Sequence, residues 1–414
     1  MKFGLRTTRV LLAALGHPEH AYPSIHIAGT NGKGSTASML ASIFMESGYR
    51  AGLYTSPHLV RFTERIRIDG REIPGRRVVH YTRVLFPIIE ELRATFFEVV
   101  TCIAFRHFAD EHIDIAVVET GLGGRLDSTN VITPLVSVIT TIGFDHEEYL
   151  GTTLRSIARE KGGIIKPGIP CVTGADQPAV LSVLGRIAYL RKTRLFRAGD
   201  LVSVTPGRNA RTGLEVRARS LGLRRVSPGL TGPHQTDNLR VAVAVCELLL
   251  RTQKTRAGFR RLTPAAVARG CARVTRNTGL RGRCEIIGVR KRTILDVAHN
   301  PAGMRALVTT LQERGERNIL VVFGVMKDKD YRAMLAELKP VTGLLIAVEP
   351  ATPRALGEPA LRRAVGSAGM RVVRGGSVPR GVRLALRLRG RAGTLLVTGS
   401  HYVVGEARHA LRLP

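Results

Sequence analysis

Apolar and polar positions along this chain follow two rhythms. Short runs of consecutive β-branched and aliphatic residues alternate with longer stretches of helical period, which predicts strands and helices in turn. Ser24–Ala28 reads as a buried strand, followed by a glycine-rich turn and a helix from about Ser35 to Ser47 that Gly48 closes. Ala51–Tyr54 reads as the next strand. Thr95–Ala109 is expected as a helix, Ile113–Glu119 and Leu135–Thr141 as strands, Leu154–Lys161 as a helix and Ile169–Thr173 as a strand. This alternation predicts a mostly parallel sheet covered on both faces, with ligands beyond the carboxyl ends of its strands.

From about Asp200 to Val226 the pattern changes to short, arginine-rich, glycine-punctuated strands, expected as a hairpin layer on the sheet edge. A helix over Asn238–Arg251 follows. Periodicity stops between Ala272 and Arg283, where Asn277, Gly279 and Gly282 predict an interdomain linker. Alternation then restarts, with strands over Thr293–Val297, Asn318–Phe323, Leu344–Val348 and Thr394–Thr398, a helix from Ala302 and a terminal helix. The expected fold is therefore α/β in two parts. Residues 1–277 form a P-loop domain with a mostly parallel sheet, and residues 278–414 a smaller Rossmann-like domain. A chain of 414 residues suits two such cores.

Composition sharpens this picture mainly by exclusion. The apolar runs fall far short of the roughly 20 residues that a membrane helix needs. Lys2, Arg6 and Arg9 before Val10–Leu15 superficially resemble a secretory leader, but Gly16, His17, Pro18 and Glu19 follow without a small-residue cleavage site. A short amphipathic helix ended by that turn is the better reading. The 5 cysteines, Cys102, Cys171, Cys246, Cys271 and Cys284, form no CxxC pair, so free thiols in the cytoplasm are expected. A net charge of +31 raises the question of nucleic acid. The basic residues are scattered through Arg208–Arg225, Arg251–Arg261 and Arg362–Arg391 with Phe259 the one aromatic interleaved, and the chain has no Trp for base stacking. Nucleic acid is not the expected partner. Solvated arginine faces, or steering of anionic substrates, account for the charge.

The sharpest chemical signal follows the first strand, in Gly29-Thr30-Asn31-Gly32-Lys33-Gly34-Ser35-Thr36. Glycines let backbone N–H groups turn inward around phosphate oxygens, and the following helix N-terminus adds partial positive charge. Lys33 can reach β- and γ-phosphates, and Ser35 or Thr36 can support Mg²⁺. The motif departs from the Walker A spacing, with Ile27 at the position of its first glycine and Gly34 between lysine and hydroxyls. A glycine turn with a capped helix is the plain alternative; the lysine and hydroxyls favour ATP.

Other polar groups fall on strand ends. Glu119 closes an apolar strand and enters Thr120–Asn130, where a carboxylate could serve Mg²⁺ or merely cap or pair. Asp145-His146 follows another strand and is expected on the same rim. Lys161 alone reads as a surface lysine. In the second half, Asp296-Val297-Ala298-His299-Asn300-Pro301 ends a strand. Its Asp and His could contact a nucleotide or an amino acid, while Asn300 as cap and Pro301 at the first helical position explain part of the segment structurally.

Taken together in chain order, these segments resemble the folylpolyglutamate and dihydrofolate synthases of the Mur-ligase superfamily. The likeness spans nearly the whole chain. It rests on Gly29–Thr36, on Tyr54–Leu59 with Phe62–Ile66, on Glu119–Asn130, Phe144–His146 and Glu160–Lys166, and on Asp296–Pro301 with Val397–Tyr402. Three positions depart from the family pattern: Gly162, Arg281 before Gly282-Arg283, and His401.

The resemblance implies an ATP-dependent ligase that joins L-glutamate to a folate or dihydropteroate carboxylate through an acyl phosphate. It implies ATP contacts by Asn31, Gly32, Lys33, Gly34, Ser35, Thr36 and Asn238, with Arg283 and Asp296 reaching ATP from the second domain. It implies two Mg²⁺ ions ligated by Ser56, Glu119, His146 and a carbamylated Lys161. Lys33, Lys161, His146 and Glu119 would be the catalytic set, with His299 and Ser400 placing glutamate. A cytoplasmic monomer is expected. The rival readings are a cell-wall precursor ligase of the same superfamily, against which Ser56–Leu59 and Phe62–Ile66 argue, and a nucleic-acid-stimulated P-loop ATPase.

Overall fold

The computed structural model describes residues 4–207, 213–222, 225–251, 258–288, 292–390 and 393–413. Lys2, the ends of the basic segments at Arg208 and Arg391, and Arg211, Arg224, Lys254 and Arg256 lie outside the described residues. The chain forms two compact units. The first holds Met1–Pro57, Phe62–Gly229 and Gln235–Leu280, and the second His58–Arg61, Leu230–His234 and Arg281–Pro414.

The first unit is built on an eight-stranded sheet. Its strands are β1 (Ser24–Ala28), β2 (Ala51–Tyr54), β3 (Ile66–Ile68), β4 (Arg71–Glu72), β5 (Ile115–Glu119), β6 (Val136–Ile139), β7 (Cys171–Thr173) and β8 (Leu195–Arg197). Their spatial order is β4-β3-β2-β5-β1-β6-β7-β8. Strands β2 through β8 in that row run parallel, while β3 and β4 form an antiparallel ribbon at one edge. β1 occupies the point where connections change direction: the chain leaves it toward β2 and later returns past it to β6. Such a switch point opens a crevice beyond the strand ends, where ligands bind.

β1 and β5 are buried at every residue, as continuous apolar runs in a covered parallel sheet should be. The helix after β1, Lys33–Glu46, is buried almost all round. Helices Pro264–Ala272 and Val274–Thr278 pack along it. Ser42 Oγ donates to Gly270 O at 2.7 Å, and Asn277 Nδ2 donates to Ser42 and Glu46 at 3.0 Å. The stretch expected as a linker is therefore partly a helix fastened to the first unit. Its polar Asn277 broke the apolar period because it bonds to a neighbouring helix. Helix Phe96–Asp110 starts at a Thr95–Glu98 capping box, and Arg6–Ala14 is the short N-terminal helix that the sequence predicts.

The segment around Asp200–Val226 differs from expectation. β9 (Val202–Pro206), β10 (Leu214–Ala218) and β11 (Arg225–Val226) pair antiparallel in a sheet of their own rather than on the edge of the large one. Its alternating burial on β9 gave the hairpin signal, but nothing in that alternation names a partner sheet.

The second unit has a six-stranded sheet of β12 (Glu285–Ile287), β13 (Thr293–Leu295), β14 (Ile319–Phe323), β15 (Thr342–Glu349), β16 (Val372–Ser377) and β17 (Leu395–Thr398). The order is β12-β13-β17-β14-β15-β16, parallel except for β12. One apolar cluster includes Ile294, Val321, Leu345 and Leu396; another, Leu295, Val322, Ile346 and Val397. Alternate residues of each strand thus feed opposite faces of the sheet. Among the described residues no helix is long and apolar enough to cross a membrane.

Candidate active site

In the first unit the polar groups gather around the carboxyl end of β1. Ile27 pairs with Glu119 on one side and Ala28 with Ile139 on the other, so the loop 29–34 leaves the sheet between Glu119 and the Thr140-Thr141 pair. Those threonines hold the loop. Thr30 N donates to Thr141 O at 2.7 Å, and the hydroxyls of Thr140 and Thr141 donate to Asn31 O at 2.7 and 3.2 Å. Thr30 Oγ1 adds a bond to Gly143 O at 3.0 Å.

Two glycines are required by this geometry. Gly29 has φ 154°, and a Cβ there would fall on the Thr140 hydroxyl. Gly32 has φ 84°, in the left-handed region that glycine tolerates, and a Cβ there would strike Asn238 Oδ1. Asn238 is thereby placed against the loop, its amide donating to Gln235 Oε1 at 2.9 Å. The helix begins at Lys33 behind Gly32 with no side-chain cap. Its first N–H groups remain for another acceptor, as an anion site requires. Lys33 Nζ rests on Thr30 O at 3.1 Å. The hydroxyls of Thr36 and of Thr120, next to Glu119, are buried and meet no hydrogen-bond partner among the described residues.

Lys161 is not a surface lysine. It is 4 % exposed and donates from Nζ to Gly29 O at 2.8 Å, directly behind the loop. Burial, with Lys33 nearby, pushes its amine down to about 7, against the pull of Asp145 and Asp127. This burial leaves no mark in the sequence, because Lys161 sits in the last turn of helix Leu154–Gly162, where a cation ordinarily reaches water. Glu119 is buried, and its Oε2 accepts a hydrogen bond from Ser56 N at 3.2 Å. That bond joins two of the residues expected as metal ligands. His146 caps a short helix with φ 52°, its Nε2 3.9 Å from Asp145 Oδ1.

A buried network that sequence reasoning missed braces the loop after β5. Asp127 accepts from Leu122 N at 2.8 Å, Thr129 N at 3.0 Å and Thr129 Oγ1 at 2.5 Å. Thr129 Oγ1 also meets His26 Nε2 at 2.8 Å, inside β1. Burial, and to a lesser degree Lys166, pushes the His26 imidazole down to about 3, so it is neutral. Burial raises the Asp127 carboxyl, against the hydrogen bonds it accepts from Thr129, Leu122 and Gly121. The available signal was a histidine inside a fully apolar strand, which needs a partner when buried. Thr140-Thr141, polar immediately after β6, carried a similar signal.

In the second unit, Arg283, Asp296, His299 and Ser400 stand at the carboxyl ends of β13 and β17 or just before β12. Asp296 is buried and accepts from Cys284 N at 2.7 Å and Ala298 N at 2.8 Å. Burial raises its carboxyl, while Arg283 draws it down. His299 Nδ1 lies 2.9 Å from Val297 O, and its ring lies 5.3 Å from that of His401. Asn300 and Ser400 cap the helices Pro301–Glu313 and His401–Ala410 through Gly303 N at 2.8 Å and Val403 N at 3.1 Å.

Comparison with known proteins agrees along the chain. The Mur ligase middle domain matches residues 27–246, and the Mur ligase, glutamate ligase domain, residues 282–401. The dihydrofolate synthase/folylpolyglutamate synthase of Bacillus subtilis is 34% identical over 365 residues, covering 86% of this chain and 83% of that protein. The crystal structure of Mycobacterium tuberculosis folylpolyglutamate synthase complexed with ADP and AMPPCP superposes with a TM-score of 0.89 at 35% identity, covering 98% of this chain and 95% of that one. The bifunctional folylpolyglutamate synthase/dihydrofolate synthase of Yersinia pestis, complexed with AMPPNP and Mn ion, gives 0.86 at 27% identity, covering 100% and 94%.

Proposed function

This chain belongs to the Mur ligases, among the folylpolyglutamate and dihydrofolate synthases, and from that premise we propose how its own residues carry the reaction. It is an ATP-dependent ligase that joins glutamate to a folate. The observation that carries the residue assignments is the uncapped helix end at Lys33, with Glu119 on one side, the threonine pair on the other and Lys161 behind.

The folate or dihydropteroate carboxylate attacks the γ-phosphorus of ATP and ADP leaves. The glutamate amine then attacks the acyl carbon, and the tetrahedral intermediate collapses with loss of phosphate and a proton. Asn31, Gly32, Gly34, Ser35 and Thr36 cradle the phosphates with loop amides and hydroxyls, and Lys33 exchanges Thr30 O for a phosphate oxygen. Asn238 takes the adenine side, and Arg283 and Asp296 also serve ATP. His299 and Ser400 place glutamate. The Ser400 oxygen already accepts from Val403, which leaves its hydroxyl proton for a carboxylate.

Ser56, Glu119, His146 and Lys161 would hold two Mg²⁺ ions, Lys161 as a carbamate. The donor set fits in its majority: the hydroxyl and carboxylates are hard oxygen ligands, with the His146 imidazole as one nitrogen donor, and the buried Thr36 and Thr120 hydroxyls flank the same loop ends. Bound there, Mg²⁺ offsets the phosphate charge that repels an incoming carboxylate. Carbamate formation needs a neutral amine, which burial of Lys161 favours. The buried free thiols suit the reducing cytoplasm, and the enzyme acts as a monomer.

The test is ATP-dependent incorporation of glutamate by the purified chain, with Mg²⁺ and bicarbonate, offered dihydropteroate and tetrahydrofolate separately. Product with each acceptor assigns both activities, and product with one assigns that one. No product with either sinks the assignment. Lys161→Ala should lose turnover that short carboxylates partly restore; a fully active Lys161→Arg would exclude the carbamate.

A further inference from the structure

A second group of ligand-type side chains lies in the turn that leads into β1, outside the site described above. His17 Nδ1, Glu19 Oε1 and His20 Nε2 all fall within 4.8 Å of one another. The two imidazole nitrogens stand 3.2 and 3.6 Å from the same Glu19 oxygen. Donors bound tetrahedrally at about 2.0–2.1 Å lie roughly 3.3 Å apart, so these are the separations expected around one ion.

Glu19 is the sharper observation. Its side chain is only 6% exposed, whereas those of His17 and His20 are 56% and 65% exposed. Glu19 Oε2 is buried with no hydrogen-bond partner among the described residues. Among the described residues no lysine or arginine pairs with this carboxylate. A carboxylate withdrawn from water needs a cation or several donors; His17 Nδ1 is within hydrogen-bond distance of Oε1, but a neutral imidazole brings no charge to offset it. The backbone holds the arrangement: His17 has φ 53°, an uncommon left-handed conformation, and Pro18 opens the one-turn helix Pro18–His20 that carries the other two groups.

We propose that His17, Glu19 and His20 form a binding site for a divalent first-row transition ion of the Zn²⁺ type, with water completing its coordination. Two imidazoles and one carboxylate select such ions over Mg²⁺, which takes oxygen ligands. The site is thus chemically separate from the one at the phosphate loop. Its role is to fasten the turn between helix Arg6–Ala14 and β1. Tyr22 secures the same turn from the other end, donating to Phe105 O at 3.1 Å.

The test uses the full chain, freed of transition metals with a chelator, kept in excess Mg²⁺ and titrated with Zn²⁺ alone. Equilibrium dialysis should give one Zn²⁺ per chain, with a rise in Tm of about 2–5 °C at saturation. The variant His17→Ala/His20→Ala, altered only at exposed side chains, should lose both the ion and the shift while keeping Mg²⁺-supported turnover. Glu19→Gln should also lose the ion. Equal Zn²⁺ uptake and Tm shift in the wild type and the double histidine variant would overturn the proposal. Absence of uptake by the wild type at micromolar Zn²⁺ would do the same.

Discussion

The helix after β1 begins behind a left-handed Gly32 with no side-chain cap, whereas the helices after β13 and β17 begin behind Asn300 and Ser400, whose oxygens accept bonds from Gly303 and Val403. All three follow the carboxyl end of a parallel strand. Local physics offers each the same choice: satisfy the first N–H groups internally, or keep them for a ligand. The first unit keeps them, and holds the turn in shape with threonines just beyond the neighbouring strand. In the second unit each cap oxygen satisfies one of them, which stabilises both helices. An open helix end is left for an acceptor from outside; a capped one serves the fold.

The strongest way to break that comparison is to remove the charge at the open end. Lys33→Ala should lower kcat by at least about 10²–10³-fold with an unchanged circular dichroism spectrum, the scale of deleting one preorganised charge-stabilising group. Near-normal turnover would mean that the open end binds no transferring phosphate.

Acid probes what lies under the open end. Burial holds His26 at about 3, below its ordinary 6.5. The unfolded chain therefore binds more protons than the folded one between those values, and His26 makes stability fall as pH drops from about 6.5 toward 3. The effect is at most several kcal/mol. His26→Asn, which can still bond to Thr129, should flatten this acid limb in urea titrations. An unaltered limb would place the acid sensitivity elsewhere.

Caps give a smaller effect. Ser400→Ala and Asn300→Ala should each cost about 0.5–2 kcal/mol of stability. If Ser400 also meets glutamate, its variant alone should raise the KM for glutamate. A KM change in both variants would mean that helix position, not the hydroxyl, is felt.

The smallest effect is expected at Gly162, where a Cβ would meet the flexible tips of Ile187 and Leu184. Gly162→Ala should change stability by no more than about 1 kcal/mol, since rotamer shifts absorb the crowding and alanine favours the helix. A larger loss, seen by thermal melting, would show that this packing is rigid.

Much of this was legible because strands and glycine turns advertise themselves locally. β1 and β2 fall on the expected residues, and β5 to β7 within a few of them. Glu119 was recognisable as the polar end of an apolar run. Lys161 was not, since its burial is set by Gly29, far away in the chain. The His26–Thr129–Asp127 network was hidden for the same reason: its members are contributed by β1 and by the loop after β5. Helix Val274–Thr278 looked like a linker because its polar Asn277 faces Ser42 and Glu46 instead of water.

That last packing also has a bearing on how the protein is made. The helix carrying Lys33 emerges early, but the residues that close its outer face, including Gly270 against Ile43 and Arg269 and Arg273 on Glu46, come more than two hundred residues later. At about 5–20 residues per second, this helix waits roughly 10–45 s on the ribosome for its partners. During synthesis the strands Ala51–Tyr54 and Ile115–Glu119 can cover its inner face early, but its outer face waits for Pro264–Ala272, and a nascent chain stalled before residue 264 leaves that face open for a chaperone to hold.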